Sequence, residues 1–310
     1  MKRILVLGAN PAKQKTLFFK EFHYGEVNRA ARMEVFAAGK GINFCRAARI
    51  WGRARGTLLQ FVGGDNGRFV CKRLDAEGME CRNISVAGET RCCVTCLDET
   101  RDTMTEVIEP SVAVTAAEAE HLLAEWEGLL PESAGAAICG SLPDGSDGAI
   151  YRRAAESAHA AQVPILFDAW KEVDVCLQSG DNLLKINREE LVKLTGEPDL
   201  RDGLRRLFST CRVRFAAITD GADAAFASDG KTFFRYAPPR VAHVVNPIGC
   251  GDTASAVMFS EIVAGTAPEE AFRYALAAAS ANCLTSFPGS FDRDAAEKFA
   301  AEMRFTAEKL

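Results

Sequence analysis

With 310 residues, 48% of them hydrophobic and 25% charged, the chain can bury a large core without disulfides. Its formal net charge of −5 gives no strongly basic surface for nucleic acid. No segment offers the roughly 18 unbroken apolar residues that a membrane span requires.

The opening run Arg3–Leu7 stops at Gly8-Ala9-Asn10, too short for the apolar centre of a secretion signal, and predicts a buried first strand. Stretch 13–36 follows, a polar and apolar mixture without helical period. The pattern then predicts a helix over Ile42–Trp51, a strand over Thr57–Val62, a helix over Gly67–Glu77 and a strand over Cys81–Val86. Stretch 89–109 again lacks a helical period and alternates around Cys93–Leu97. Beyond it come a helix at Ala116–Leu130, a strand at Ala136–Cys139, a helix at Ala149–Ala161 and strands at Pro164–Phe167 and Leu183–Ile186. The remaining elements are helices Arg188–Thr195 and Leu200–Thr210, strand Arg214–Ile218, and helices Gly251–Ala264 and Glu269–Thr285.

Strands that read as continuous apolar runs, separated by helices, indicate a mostly parallel α/β sheet covered on both faces. Ligands of such sheets sit at the carboxyl ends of the strands. The irregular stretches 13–36 and 89–109 fall on one side of that sheet and are expected to combine into a small accessory sheet. With no repeats and no linker, one unit is expected over 1–310. The 11 cysteines, scattered through apolar stretches (Cys45, Cys71, Cys139, Cys283), predict reduced thiols and a cytoplasmic protein. Cys92-Cys93-x-x-Cys96 has no second pair or nearby His at zinc spacing, so it reads as strand residues.

Four motifs lie at predicted strand or helix ends. In Asn246-Pro247-Ile248-Gly249-Cys250-Gly251-Asp252-Thr253, two glycines flank a small residue at a helix start, so backbone N–H groups can face an anion with Asp252 beside them. Taken alone, a helix cap explains this turn as well. Ala38-Gly39-Lys40-Gly41-Ile42-Asn43 combines close backbone approach, a cation and an amide, without the spacing of a nucleotide P-loop. Val62-Gly63-Gly64-Asp65-Asn66-Gly67 is a third strand-to-helix turn. Asn187 and Glu190, three apart at a helix start, could hold a hydrated Mg²⁺ or form a capping box; local spacing favours the cap.

In combination and order these segments resemble the PfkB (ribokinase-like) carbohydrate kinases over nearly the whole chain. Within that family, Asn10-Pro11-Ala12, Gly25-Glu26-Val27-Asn28-Arg29, Gly64–Phe69, Gly88-Glu89-Thr90-Arg91, Gly140-Ser141-Leu142-Pro143 and Ala237-Pro238-Pro239 are similar to the 1-phosphofructokinase and tagatose-6-phosphate kinase branch. The resemblance implies a three-layer α/β/α fold with a β-sheet lid, ATP and Mg²⁺ as cofactors, and a sugar phosphate as substrate. It implies Asp252 as base and the Gly249-Cys250-Gly251 amides as the site for developing charge. Asn187 and Glu190 would associate with magnesium through water. Lys185, Asn187, Thr219, Gly221 and Asn282 would line the nucleotide site, and Gly39, Lys40, Asn43, Arg91 and Ser141 the sugar phosphate. A homodimer through the lid is also expected; nucleic acid and membrane partners are not.

The chain departs from that branch at several points. Gln14 stands where an Asp binds sugar hydroxyls, and is longer, uncharged and partly a donor. Pro247 replaces Thr or Ser and removes one N–H, Cys250 replaces Ala and adds an oxidisable thiol, and Ile186 replaces Pro. Ala169-Trp170 replaces small hydroxyl residues after Asp168. Because the helix dipole favours a charged carboxylate, Asp252 is expected to be a weak base. The reading is a kinase for a phosphorylated ketohexose such as fructose 1-phosphate or tagatose 6-phosphate. The alternatives are a kinase for an unphosphorylated sugar or nucleoside and a binding protein that has lost catalysis.

Overall fold

The computed structural model describes residues 1–146 and 148–310. From the N-terminus run β1 (Lys2–Leu7), β2 (Ala12–Phe19), β3 (Arg32–Ala38), α1 (Lys40–Trp51), β4 (Ala54–Val62), α2 (Gly64–Ala76) and β5 (Glu80–Ser85). Next come β6 (Cys92–Asp98), β7 (Thr103–Ile108), α3 (Ala116–Leu129), β8 (Gly135–Cys139), α4 (Ala149–Ala160), β9 (Ile165–Asp168) and β10 (Asn182–Asn187). The chain continues through α5 (Arg188–Thr195), α6 (Leu200–Thr210), β11 (Val213–Asp220), β12 (Ala224–Ser228) and β13 (Thr232–Tyr236). It ends with α7 (Cys250–Ala264), α8 (Pro268–Asn282), α9 (Arg293–Glu302) and β14 (Phe305–Lys309).

Ten strands form the main sheet in the order β14-β13-β12-β11-β10-β9-β8-β1-β4-β5. From β11 to β5 every neighbour is parallel, while β12, β13 and β14 extend the sheet antiparallel. Two apolar cores explain why the parallel strands read as continuous apolar runs. Ile4 and Val6 face one core while Leu5 and Leu7 face the other, as the two-residue period of a strand requires. The first core receives α1, α2, α7, α8 and α9, and the second α3, α4, α5 and α6. The result is the α/β/α sandwich that the strand pattern implies, with α7 buried on every side from Asp252 to Glu261.

The two stretches without helical period supply a separate four-stranded sheet in the order β3-β2-β6-β7. β2 pairs antiparallel with β3 and parallel with β6, and Cys92, Cys93 and Cys96 are strand residues of β6. The eleven cysteines are free thiols, and no cluster of metal-ligating side chains occurs among the described residues. Among those residues no helix is long and apolar enough to cross a membrane.

One close approach fixes where α1 begins. A Cβ on Gly41 would lie 2.7 Å from the Gly8 Cα, so β1's end and α1's first turn touch backbone to backbone. That contact brings Lys40 and Asn43 to the carboxyl edge of the sheet, beside the ends of β8, β9 and β10.

Candidate active site

At the start of α7, Gly249 caps the helix with φ at +83°, in the left-handed region. A Cβ there would meet the Gly289 N at 2.8 Å and Pro288, and one on Gly251 would meet the Lys185 Nζ at 2.9 Å. At position 249 glycine is therefore required by packing as well as by conformation, while at 251 a larger residue would push Lys185 away. The Cys250 N–H turns back to the Pro247 carbonyl at 3.4 Å, and the next N–H groups of the turn have no intrahelical acceptor, which leaves donors facing outward beside a cation.

Asp252, 8% exposed, lies in that first turn. Its Oδ2 accepts from the Asn43 side chain at 2.8 Å, and Asn43 Oδ1 accepts in turn from Arg46 Nη1 at 3.2 Å. Arg46 is held by both oxygens of Glu77, at 2.6 and 2.8 Å, and by the Ala37 carbonyl at 2.7 Å. α1 thus orients Asp252 through a buried relay.

A second buried carboxylate organises the cations. Asp168, at the end of β9, accepts from Lys40 Nζ at 2.9 Å and from Ser255 Oγ at 2.6 Å, with Lys185 Nζ 4.0 Å away. Lys40 Nζ is also 3.8 Å from Glu190 Oε1. Burial opposes charge on Asp168, yet Lys185, Lys40 and the Ser255 hydroxyl hold its carboxyl below the usual range. Burial likewise works against the Lys40 ammonium, but Asp168, Asp252 and Glu190 push its pKa above the ordinary lysine value.

Asp252 moves the other way from the weak base expected of a helix N-terminus. Burial, then the negative charge of Asp168, push it up to about 6, against Lys40, Asn43 and Lys185. Desolvation outweighs the favourable dipole here, so the carboxylate is a stronger base than its position in α7 suggests.

Asn187 and Glu190 form a complete capping box. Asn187 Oδ1 accepts from the Glu190 N–H at 2.8 Å, and Glu190 Oε2 accepts from the Asn187 N–H at 2.9 Å. The box leaves Glu190 Oε1, 3.8 Å from Lys40, for a further partner. This donor set suits a magnesium ion that keeps its own waters.

Two cavities border these groups. The larger, of about 520 Å³, is lined by Thr219, Gly221, Pro238, Val244, Gly251 and Cys283, among others. The smaller, of about 380 Å³, is lined by Asn10, Lys40, Arg91, Ser141, Trp170 and Glu190, among others. Several expected site residues are placed elsewhere. Gln14 is buried in the small sheet, its amide donating to Thr95 Oγ1 at 2.8 Å, and does not line either cavity. Asn282, fully buried, bonds Thr253 Oγ1, the Gly289 N–H and the Ile248 carbonyl. It braces the loop before α7 from beneath and is absent from the cavity wall. Gly39 caps α1 with φ at +143°, its Cα side facing Pro11. Arg91 donates to the Asn10 carbonyl at 3.0 Å, while its buried Nε finds no partner among the described residues.

Sequence reasoning left Asp168, Ser255 and Asn10 out of the site. For Asp168 a signal existed: an acid at the carboxyl end of a predicted buried parallel strand. Ser255 carries none, because its hydroxyl meets Asp168 only after α7 packs against β9. Asn10 donates to Ser141 Oγ and the Leu142 carbonyl, both at 3.3 Å, linking the loops after β1 and β8.

A family model described as pfkB family carbohydrate kinase matches residues 1–291. Among solved structures, a candidate phosphofructokinase from Staphylococcus aureus superposes with a TM-score of 0.79 at 25% identity, over 99% of each chain. Escherichia coli phosphofructokinase-2, solved with fructose-6-phosphate, gives 0.85 at 21% identity over 97% of this chain and 99% of that one. An Arabidopsis thaliana ribokinase, solved with ribose and ATP, gives 0.75 at 19% identity over 96% and 98%.

Proposed function

The chain belongs to the pfkB family of carbohydrate kinases, and from that premise we propose that it transfers the terminal phosphoryl group of MgATP to a hydroxyl of a phosphorylated ketohexose of the fructose 1-phosphate or tagatose 6-phosphate type. The observation that carries this reading is Asp252, buried, oriented by Asn43 and raised to about 6. Cys250 and Gly251, immediately before it, line the larger cavity, and Lys40, whose charge acts on it, lines the smaller. Nucleotide in the larger cavity and acceptor in the smaller would then meet at the start of α7.

Asp252 accepts the proton of the acceptor hydroxyl as that oxygen attacks. With a pKa near 6 the base is mostly ionised at neutral pH yet basic enough to take the proton. The first-turn amides around Gly249-Cys250-Gly251, with Lys185 beside them, stabilise charge developing on the transferred group. Asn187 and Glu190 would hold magnesium through its waters, and the ion when bound neutralises phosphate charge. Thr219 and Gly221 contact the nucleotide, whereas Asn282 keeps the loop in place from below. Arg91 and Ser141, both on the wall of the smaller cavity, face the acceptor's phosphate. The small sheet acts as a lid that keeps water from the phosphoryl group, and a second copy of the chain pairs through it.

One observation favours an unphosphorylated acceptor instead. Lys40 is engaged by Asp168 and Glu190, so it is not free to bind an acceptor phosphate. ADP release with MgATP over a panel of ketohexose phosphates, free sugars and nucleosides separates the two. Turnover confined to the phosphorylated sugars supports the first reading; strong turnover of ribose or adenosine replaces it with the second. Binding without any turnover would mean a protein that has lost catalysis, which the preserved Asn43–Asp252 pair argues against.

A further inference from the structure

Two thiols on separate helices meet at the wall of the larger cavity. Cys250 Sγ, at the first residue of α7, lies 3.1 Å from Cys283 Sγ, just beyond the last residue of α8. Both residues line the cavity and both are partly exposed, so a small oxidant can reach them. The backbones that carry them are already joined. Asn282 donates to Cys250 Sγ at 3.3 Å and to the Ile248 carbonyl at 3.1 Å, and the Cys283 carbonyl accepts from the Val245 N–H at 2.8 Å.

We propose that Cys250 and Cys283 form a dithiol modification site that hydrogen peroxide closes to a disulfide, and that closure weakens nucleotide binding in the cavity they line. The second half rests on reading that cavity as the nucleotide site.

The contact also divides the chemistry between the sulfurs. Hydrogen bonding with Cys283, followed by burial, raises the Cys250 thiol, while the same bond holds Cys283 below the ordinary thiol range. The Cys283 thiolate attacks one peroxide oxygen, the O–O bond breaks, and hydroxide leaves to take up a proton as water. The sulfenic acid so formed on Cys283 is then attacked by the Cys250 sulfur, which gives up its proton as the S–S bond forms. The sulfenic hydroxyl departs as the second water. Two thiols lose two electrons and two protons, and the peroxide gains them.

Closure pulls the two helix ends toward each other. A disulfide brings its sulfurs to about 2.05 Å, so the 3.1 Å contact must shorten by about 1 Å. The far side of the loop has no slack, because Gly249 already packs against Pro288 and Gly289. A pull that shifts the first-turn amides takes them from the position a phosphate needs.

Peptide mapping tests the chemistry without reference to function. Trypsin places the two residues on adjacent peptides, 241–273 and 274–293, each holding one cysteine. After treatment with hydrogen peroxide and alkylation of the remaining thiols, these peptides should be found cross-linked, and dithiothreitol should separate them. Over the same treatment MgATP affinity, read by calorimetry, should fall at least tenfold and return with dithiothreitol. Cys283→Ser should lose the cross-link and the reductant-reversible fall, each judged against its own untreated sample. Recovery of both peptides alkylated after peroxide would overturn the dithiol site. A complete cross-link with affinity changed less than twofold would overturn the control of binding. Absence of MgATP binding by the reduced protein would overturn the cavity assignment and that control, while the mapping would still decide the dithiol chemistry.

Discussion

Asn43 donates its side-chain amide to Asp252 Oδ2 across 2.8 Å, joining the first turns of two helices that are 209 residues apart in sequence. The bond aims the carboxylate and favours its charged form, one of the influences that oppose burial. Asn43→Ala removes both effects. Transfer should fall about 10–100-fold, up to the loss that a misplacement of about 1 Å brings. Because the lost bond lowers the Asp252 pKa, the acidic limb of kcat/KM should move above its wild-type position near pH 6. A pH–rate profile of the variant checks the direction.

The raised Asp252 pKa also makes the carboxylate a cost to folding. The folded chain keeps its proton up to about pH 6, the unfolded chain only to near 3.8. Between those values the native state binds the extra proton, so stability falls as pH rises and the full penalty persists above the folded value. Its size is on the order of 3 kcal/mol. Asp252→Asn should therefore raise the melting temperature by roughly 4 °C at pH 7.5 and by little at pH 4. Calorimetric scans at the two pH values give the comparison.

Asp168 should respond in the opposite sense. It anchors Lys40, lies 4.0 Å from the buried Lys185, and its charge raises Asp252. Asp168→Asn removes the carboxylate 4.0 Å from the buried Lys185 and should cost about 3 kcal/mol in chemical denaturation. In the fraction that remains folded, loss of the negative charge lowers the Asp252 pKa, so the acidic limb should shift below pH 6.

The backbone contact between Gly8 and Gly41 sets the position of Lys40 and Asn43. Gly41→Ala places a Cβ 2.7 Å from the Gly8 Cα, where no flexible side chain can give way. Denaturation should show a loss of about 1–3 kcal/mol. The KM of the acceptor should rise with it, since Lys40 lines the smaller cavity.

The parallel strands were legible because burial on both faces leaves an unbroken apolar run, as in Arg3–Leu7 and Leu183–Ile186. β12, β13 and β14 were not: Ala224–Ser228 is mostly small residues, Thr232–Tyr236 has neither a continuous apolar run nor strict alternation, and Phe305–Lys309 is an exposed edge whose pairing with β13 no local pattern announces. α9 was missed although Asp292 caps it, because Arg293–Glu302 buries only two alanines. At the site, residues in one loop could be read together, as with Gly249–Asp252. Properties that arise between distant segments could not. The pKa of Asp252 depends on Asp168 on another element, and the Cys250–Cys283 contact joins two helix ends. Gln14 shows the same limit. Its sequence position suggests a sugar contact, but its amide is buried on Thr95, so Gln14→Asp should destabilise the small sheet.

The most direct test of Asp252 as the base compares wild type with Asp252→Asn under MgATP and a ketohexose-phosphate panel, measuring ADP release alongside nucleotide affinity. Asparagine keeps the shape and the bond to Asn43 but cannot take a proton. Transfer should fall by at least about 10³-fold, with MgATP affinity within a few-fold of wild type. Near-normal turnover by Asp252→Asn would contradict the account.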